Sequence, residues 1–154
     1  MKDNIVSDFR VASNKVINFE FSQKEIKHDN NKTNVSIDFN VGFENVIISE
    51  EKDEFLGSID LIIQLKGVEE NTAVEVFKIL VKLNGKFAAI KETLSKNKFE
   101  EMVRLNGIVV MMHQGRSFIT STTALAGIYP PIIIPMVNVY ELNKATILNT
   151  GNEL

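Results

Sequence analysis

The chain has 154 residues, 44% hydrophobic and 24% charged, the balance of one folded domain (1–154) able to bury a sizeable core. Lys and Arg number 17 against 20 Asp and Glu, and the net charge of −3 excludes a strongly basic nucleic-acid binder. No Cys is present, which removes disulfides, thiol catalysis and Cys-based zinc sites, and two His leave little for acid–base or metal chemistry.

The N-terminus, Met1 to Asp8, lacks an apolar stretch of signal-peptide length. No run of about 18 apolar residues exists, so neither a spanning helix nor membrane insertion is expected, and the cytoplasm is the default compartment. Alternation then dominates. Phe9 and Val11, then Ile17, Phe19 and Phe21, share one parity, with an interruption at Ser13-Asn14-Lys15 that predicts a kink or bulge in one long strand, or two short strands. Gln23 to Lys32 is polar and reads as a loop. Val35, Ile37, Phe39, Val41 and Phe43 alternate with Ser36, Asp38, Asn40 and Gly42, the cleanest half-buried strand in the chain. Glu50 to Glu54 is a charged turn. Ile59, Leu61, Ile63 and Leu65 mark a third strand, and Thr72 to Phe87 a fourth, with a bulge or bend expected at Asn84-Gly85. Short turns between strands predict an antiparallel meander.

The last third changes period. Ser95 fits an N-cap, with Lys98, Phe99, Met102, Val103 and Leu105 at helical spacing. A break is expected near Met112-His113-Gln114-Gly115, with a second helical part ending at Gly127, a suitable C′ residue. A Pro-rich extended segment follows, and Val137 to Leu148 reads as a final helix with Asn138 near its start. Strands first and helices last define an α+β fold: a four-stranded antiparallel sheet with C-terminal helices on one face. No nucleophile motif, P-loop, dinucleotide fingerprint or His-Glu-x-x-His is present, so no enzymatic activity is expected and no cofactor is called for.

The order of short motifs resembles the SecB family of protein-export chaperones. Arg116 is followed by Ile119-Thr120-Ser121, then Gly127-Ile128-Tyr129-Pro130, Ile134 and Val137-Asn138-Val139. Lys15-Val16-Ile17-Asn18-Phe19-Glu20 and Leu83-Asn84-Gly85-Lys86-Phe87 are similar to two of the family's strands. Departures are His113, where the family usually has Pro, and a C-terminus without the family's frequent acidic tail. The resemblance implies a SecB-like fold and a holdase that binds unfolded polypeptides or preproteins without ATP. It also implies a homo-oligomer, expected to be a tetramer. Client contacts would fall on Phe39, Val41 and Phe43, with Ile128, Tyr129, Ile132, Ile133, Ile134, Val137 and Tyr140 around the Pro-rich crossover. Glu20 is the acidic position kept for docking the motor SecA, whereas Val16 and Leu80 occupy two others. Arg116 reads as a structural or interface residue, bound by a salt bridge or helix–loop hydrogen bonds. His28 and His113 read as ordinary packed or surface residues, and the methionines mostly as helix core. Two other readings stand beside the general holdase. One is a dedicated chaperone of a single client such as an antitoxin; the other is a small apolar-ligand carrier or enzyme with a pocket between sheet and helices.

Overall fold

A computed structural model of the chain describes residues 8–24 and 34–150. Four long strands, β1 (Arg10–Gln23), β2 (Val35–Glu50), β3 (Glu54–Glu69) and β4 (Glu75–Ile90), form one antiparallel sheet in the order β1-β4-β3-β2. The expected four-strand meander is therefore only partly present. Short turns make β2, β3 and β4 neighbours, but β1 pairs with β4 on the far side. The connection across residues 24–34 joins the two edge strands, which a tight hairpin could not do.

Odd-numbered residues of β3 and β4 face the helices. Ile59, Leu61, Ile63, Leu65, Ile79, Val81, Leu83 and Phe87 are essentially sealed from solvent. This is the period-two pattern at work, with one face apolar and the other carrying Lys66, Lys78, Lys82 and Asn84. The edge strands keep this alternation only by bulging. In β1 the register shifts at Ala12 and at Ile17, so the core side runs through Phe9, Val16, Phe19 and Phe21 while Val11 and Ile17 are exposed. The interruption read near Ser13 is one of these two bulges. In β2 a shift at Asn45-Val46 turns Val46 and Ile48 to the core and Ile47 outward. No bulge occurs at Asn84-Gly85. Gly85 instead admits the helix: a Cβ there would stand 2.6 Å from Met111 Sδ.

The helical layer is one long rod. Ser95 caps it, its Oγ accepting from Lys98 N–H at 3.2 Å. α1 (Lys96–Met102) passes through a π-helical turn, Val103–Gly107, into α2 (Ile108–Leu125). The break expected at Met112–Gly115 is absent. Gly115 sits in mid-helix because a Cβ would meet Ile63 Cδ1 at 2.6 Å, so it serves close packing rather than chain reversal. The irregularity lies earlier, in the π turn, where Asn143 Nδ2 donates to the Arg104 carbonyl at 3.0 Å. Phe99, Val103, Ile108, Met111 and Ile119 bury themselves against the odd face of the sheet. The last helix, α3 (Val139–Thr150), begins where Asn138 Oδ1 accepts from the Tyr140 and Glu141 amides at 3.1 and 3.3 Å. No helix among the described residues is long and apolar enough to cross a membrane.

Candidate functional site: the crossover groove

The site starts from the way α2 stops. Gly127 adopts φ +82, which the absence of a side chain permits. Its amide donates to Ala124 O at 3.1 Å, and the Ile128 amide to Thr123 O at 3.0 Å, the paired bonds of a Schellman motif. The chain then runs extended through Pro130, Pro131 and Pro135, residues that cannot continue a helix or donate to a strand ladder.

Three polar side chains of α2, spaced four and three residues apart, hold this crossover against the helix. Thr123, wholly buried, donates its hydroxyl to Ile119 O at 2.8 Å and accepts the Ile132 amide at 3.1 Å. Thr120 Oγ1 donates to Ile132 O at 3.0 Å. Arg116 donates to Pro135 O at 2.8 Å and to Met136 Sδ at 3.0 Å. Thr120 and Thr123 therefore satisfy both backbone groups of Ile132 with side chains, where a ladder would otherwise do so. Ile132 and Ile134 point inward and are buried, while Ile133 between them is 79% exposed.

Beside the fixed crossover lies a groove of about 870 Å³. One wall is Gly127 to Ile133. The other is the end of the sheet: Gln23 and Lys24 after β1, Val35 and Ile37 of β2, and Val76 and Phe77 of β4. The Phe77 ring crosses Gly67 so closely that a Cβ on that glycine would lie 2.2 Å from it. Apolar side chains line the groove yet face water: Tyr129 is 94% exposed and Ile37 47%. β2 also forms a sheet edge. The Glu70 amide bonds to Asn34 O at 3.0 Å, so even residues of the first half of β2 turn their backbone groups to β3. Alternation then leaves the N–H and C=O groups of Val35, Ile37 and Phe39 on the side without a strand neighbour.

The residues expected to contact clients are distributed unevenly. Ile128, Tyr129 and Ile133 line the groove, and Ile132 forms its nearly closed floor. Phe43 and Ile134 do not line it: both are side chains of the hydrophobic core, at 7% and 3% exposure. Phe39, Val41 and Val137 are half-buried against the core, and Tyr140 stands 69% exposed on α3. Glu20 is exposed on the opposite, solvent-facing side of the sheet. Arg116 makes helix–loop hydrogen bonds. His113 is exposed on α2, and His28 lies outside the described residues. Sequence reasoning missed Val35, Ile37, Val76 and Phe77. Val35 and Ile37 share the parity of Phe39 and begin the same strand, so the signal was the strand end that extends past the helical cover.

Among the described residues, the solvent face of the sheet carries one buried charge. Asp60 is 8% exposed; Asn84 and Asn45 donate to its two oxygens at 2.7 and 2.9 Å, and Lys82 Nζ lies 3.5 Å away. Burial raises the Asp60 pKa, but these amides and the lysine together outweigh it and hold the carboxyl below the usual carboxylate range. No group of three or more His, Asp or Glu able to hold a metal occurs among the described residues.

The four-stranded antiparallel sheet followed by a C-terminal helical region is a SecB-like fold. Mycobacterium tuberculosis Rv1957, a SecB-like chaperone solved in complex with a ChAD peptide from the Rv1956 HigA1 antitoxin, shares it with a TM-score of 0.62. The alignment covers 84% of this chain and 91% of that one at 8% identity. A Streptococcus agalactiae protein of unknown function aligns over 83% of this chain and 97% of its own with a TM-score of 0.40 at 11% identity. No family model matches the sequence, and no curated protein matches it.

Proposed function

We propose that this chain is a SecB-like holdase that binds extended segments of non-native polypeptide in the crossover groove, without ATP. The observation that carries the reading is the groove itself, apolar, open to water and bordered by a sheet edge. Val35, Ile37, Tyr129 and Ile133 offer contact to apolar side chains of any sequence, and burial contributes roughly 25 cal/mol per Å² before ordering costs. The outward backbone groups of Val35, Ile37 and Phe39 suit main-chain pairing with an added strand, which is equally indifferent to sequence. Tyr129 and Ile133 stand in solvent, which suits a polypeptide laid along the surface better than a small apolar ligand enclosed in a pocket. A homo-oligomer, expected to be a tetramer, would join several grooves on one long client and gain avidity without tight local affinity. The cytoplasm is the compartment this reading calls for. Glu20 is where SecA would dock on the sheet's solvent face.

The experiment is light scattering of several unrelated unfolded proteins with and without the chaperone. Suppression across the panel supports the general holdase. A second reading is favoured by the complex of Rv1957 with an antitoxin peptide: a chaperone dedicated to one client of that kind. Protection of a single client and no other would establish it.

A further inference from the structure

We infer that Met136 is a redox-modification site whose oxidised form is received by Arg116. The methionines of the described residues differ sharply in exposure. Met111 and Met112 are buried in the helix–sheet core, Met102 is half-buried, and Met136 on the crossover is 84% exposed. Its sulfur nevertheless has a cationic partner, the Arg116 guanidinium nitrogen at 3.0 Å. A second nitrogen of that guanidinium holds Pro135 O at 2.8 Å, so Arg116 is already fixed over the same stretch of backbone.

The chemistry requires only a peroxide as oxidant. A lone pair of Met136 Sδ attacks one peroxide oxygen, an S–O bond forms and the O–O bond breaks. With hydrogen peroxide, the oxygen bound to sulfur gives up its proton, and the departing hydroxide takes one up and leaves as water. Sulfur loses two electrons and the peroxide gains them, giving the sulfoxide. A thioether is a weak hydrogen-bond acceptor, whereas a sulfoxide oxygen is a strong one facing a charged donor. Oxidation of a buried methionine disrupts a core. At Met136 it converts a weak contact into a charge-assisted hydrogen bond and ties the crossover more firmly to α2. The inference rests on this geometry alone and does not depend on what the groove binds.

The test is dilute hydrogen peroxide on the native full-length protein, with mass spectrometry of the peptides and thermal melting at fixed protein concentration. Met136 is expected to oxidise at least about fivefold faster than Met102 and faster still than Met111 and Met112. The melting temperature should then rise by about 2 °C, and methionine sulfoxide reductase should reverse the rise. Met136→Leu should melt normally and show no such rise. Met136→Gln, whose carbonyl oxygen stands near where the sulfoxide oxygen would be, should show it without oxidant. Earlier oxidation of another of these methionines would overturn the proposal. So would an unchanged or lowered melting temperature on Met136 oxidation, or a Met136→Gln variant no more stable than Met136→Leu.

Discussion

Thr123→Val removes one oxygen from the interior and leaves the shape almost unchanged. The wild-type hydroxyl accepts the Ile132 amide at 3.1 Å, at a threonine with no solvent exposure and an isoleucine with 5%. In the variant that amide has no partner and water cannot reach it easily. A stranded buried donor costs about 1–3 kcal/mol, and with the site this closed about 2 kcal/mol is expected. For a domain of this size that is a fall of about 4–8 °C in melting temperature at fixed protein concentration. Urea unfolding should show a lower midpoint with an unchanged slope, and the Ile132 amide should exchange faster with deuterium. Thr120→Val is the matched control. Its hydroxyl serves the Ile132 carbonyl at a half-buried position, so its loss should cost under about 1 kcal/mol. If Thr123→Val melts within about 1 °C of wild type, or no lower than Thr120→Val, the crossover is not held by its buried hydroxyl and the reasoning fails.

Other outcomes follow from the same contacts. Gly67→Ala places a Cβ into the Phe77 ring, so stability should fall by about 1–3 kcal/mol in denaturant titration and the displaced ring should weaken peptide binding in the groove. Asp60 has a depressed folded-state pKa, so its contribution is complete above the unfolded value and is lost as pH falls through the folded one. Asp60→Asn should therefore lower stability at neutral pH, and its urea midpoint should drop less between pH values of about 6 and 3 than that of wild type. Ser95→Ala removes the cap on Lys98 N–H and should cost about 1 kcal/mol by thermal melting, without altering peptide affinity.

Much of the architecture was legible because it rests on short-range rules. The odd parity of β3 and β4, the Ser95 cap, the Gly127 stop and the Asn138 start each follow from local pattern and backbone preference. Strand order was not legible, since alternation says which face a residue takes but not which strand lies beside it. The bulge at Ala12 showed in the broken alternation at Ser13-Asn14-Lys15, but those at Ile17 and Asn45 were hidden, because each is settled by a neighbouring strand's register. Gly115 looked like a helix breaker and is a contact point for Ile63, a distinction only packing can make. At the site, alternation correctly implied that Ile132, Ile133 and Ile134 point in opposite directions. It could not say that the outer two are the ones enclosed. That depends on Thr120 and Thr123, two polar residues on a helix that otherwise packs on the sheet, which fix the crossover's rotation.

The central claim is that apolar surface in the crossover groove captures non-native chains. Light scattering of an aggregating client, compared between wild type and Tyr129→Ser/Ile133→Ser, tests it most directly. Both side chains are mostly in solvent, so the double variant should unfold within about 0.5–1 kcal/mol of wild type. It should bind client at least about tenfold more weakly, since two apolar anchors are removed from one site. Wild type should suppress scattering at near-stoichiometric amounts and the double variant should not. A wild-type protein that leaves scattering unchanged, or a folded double variant that suppresses it equally well, would contradict the account.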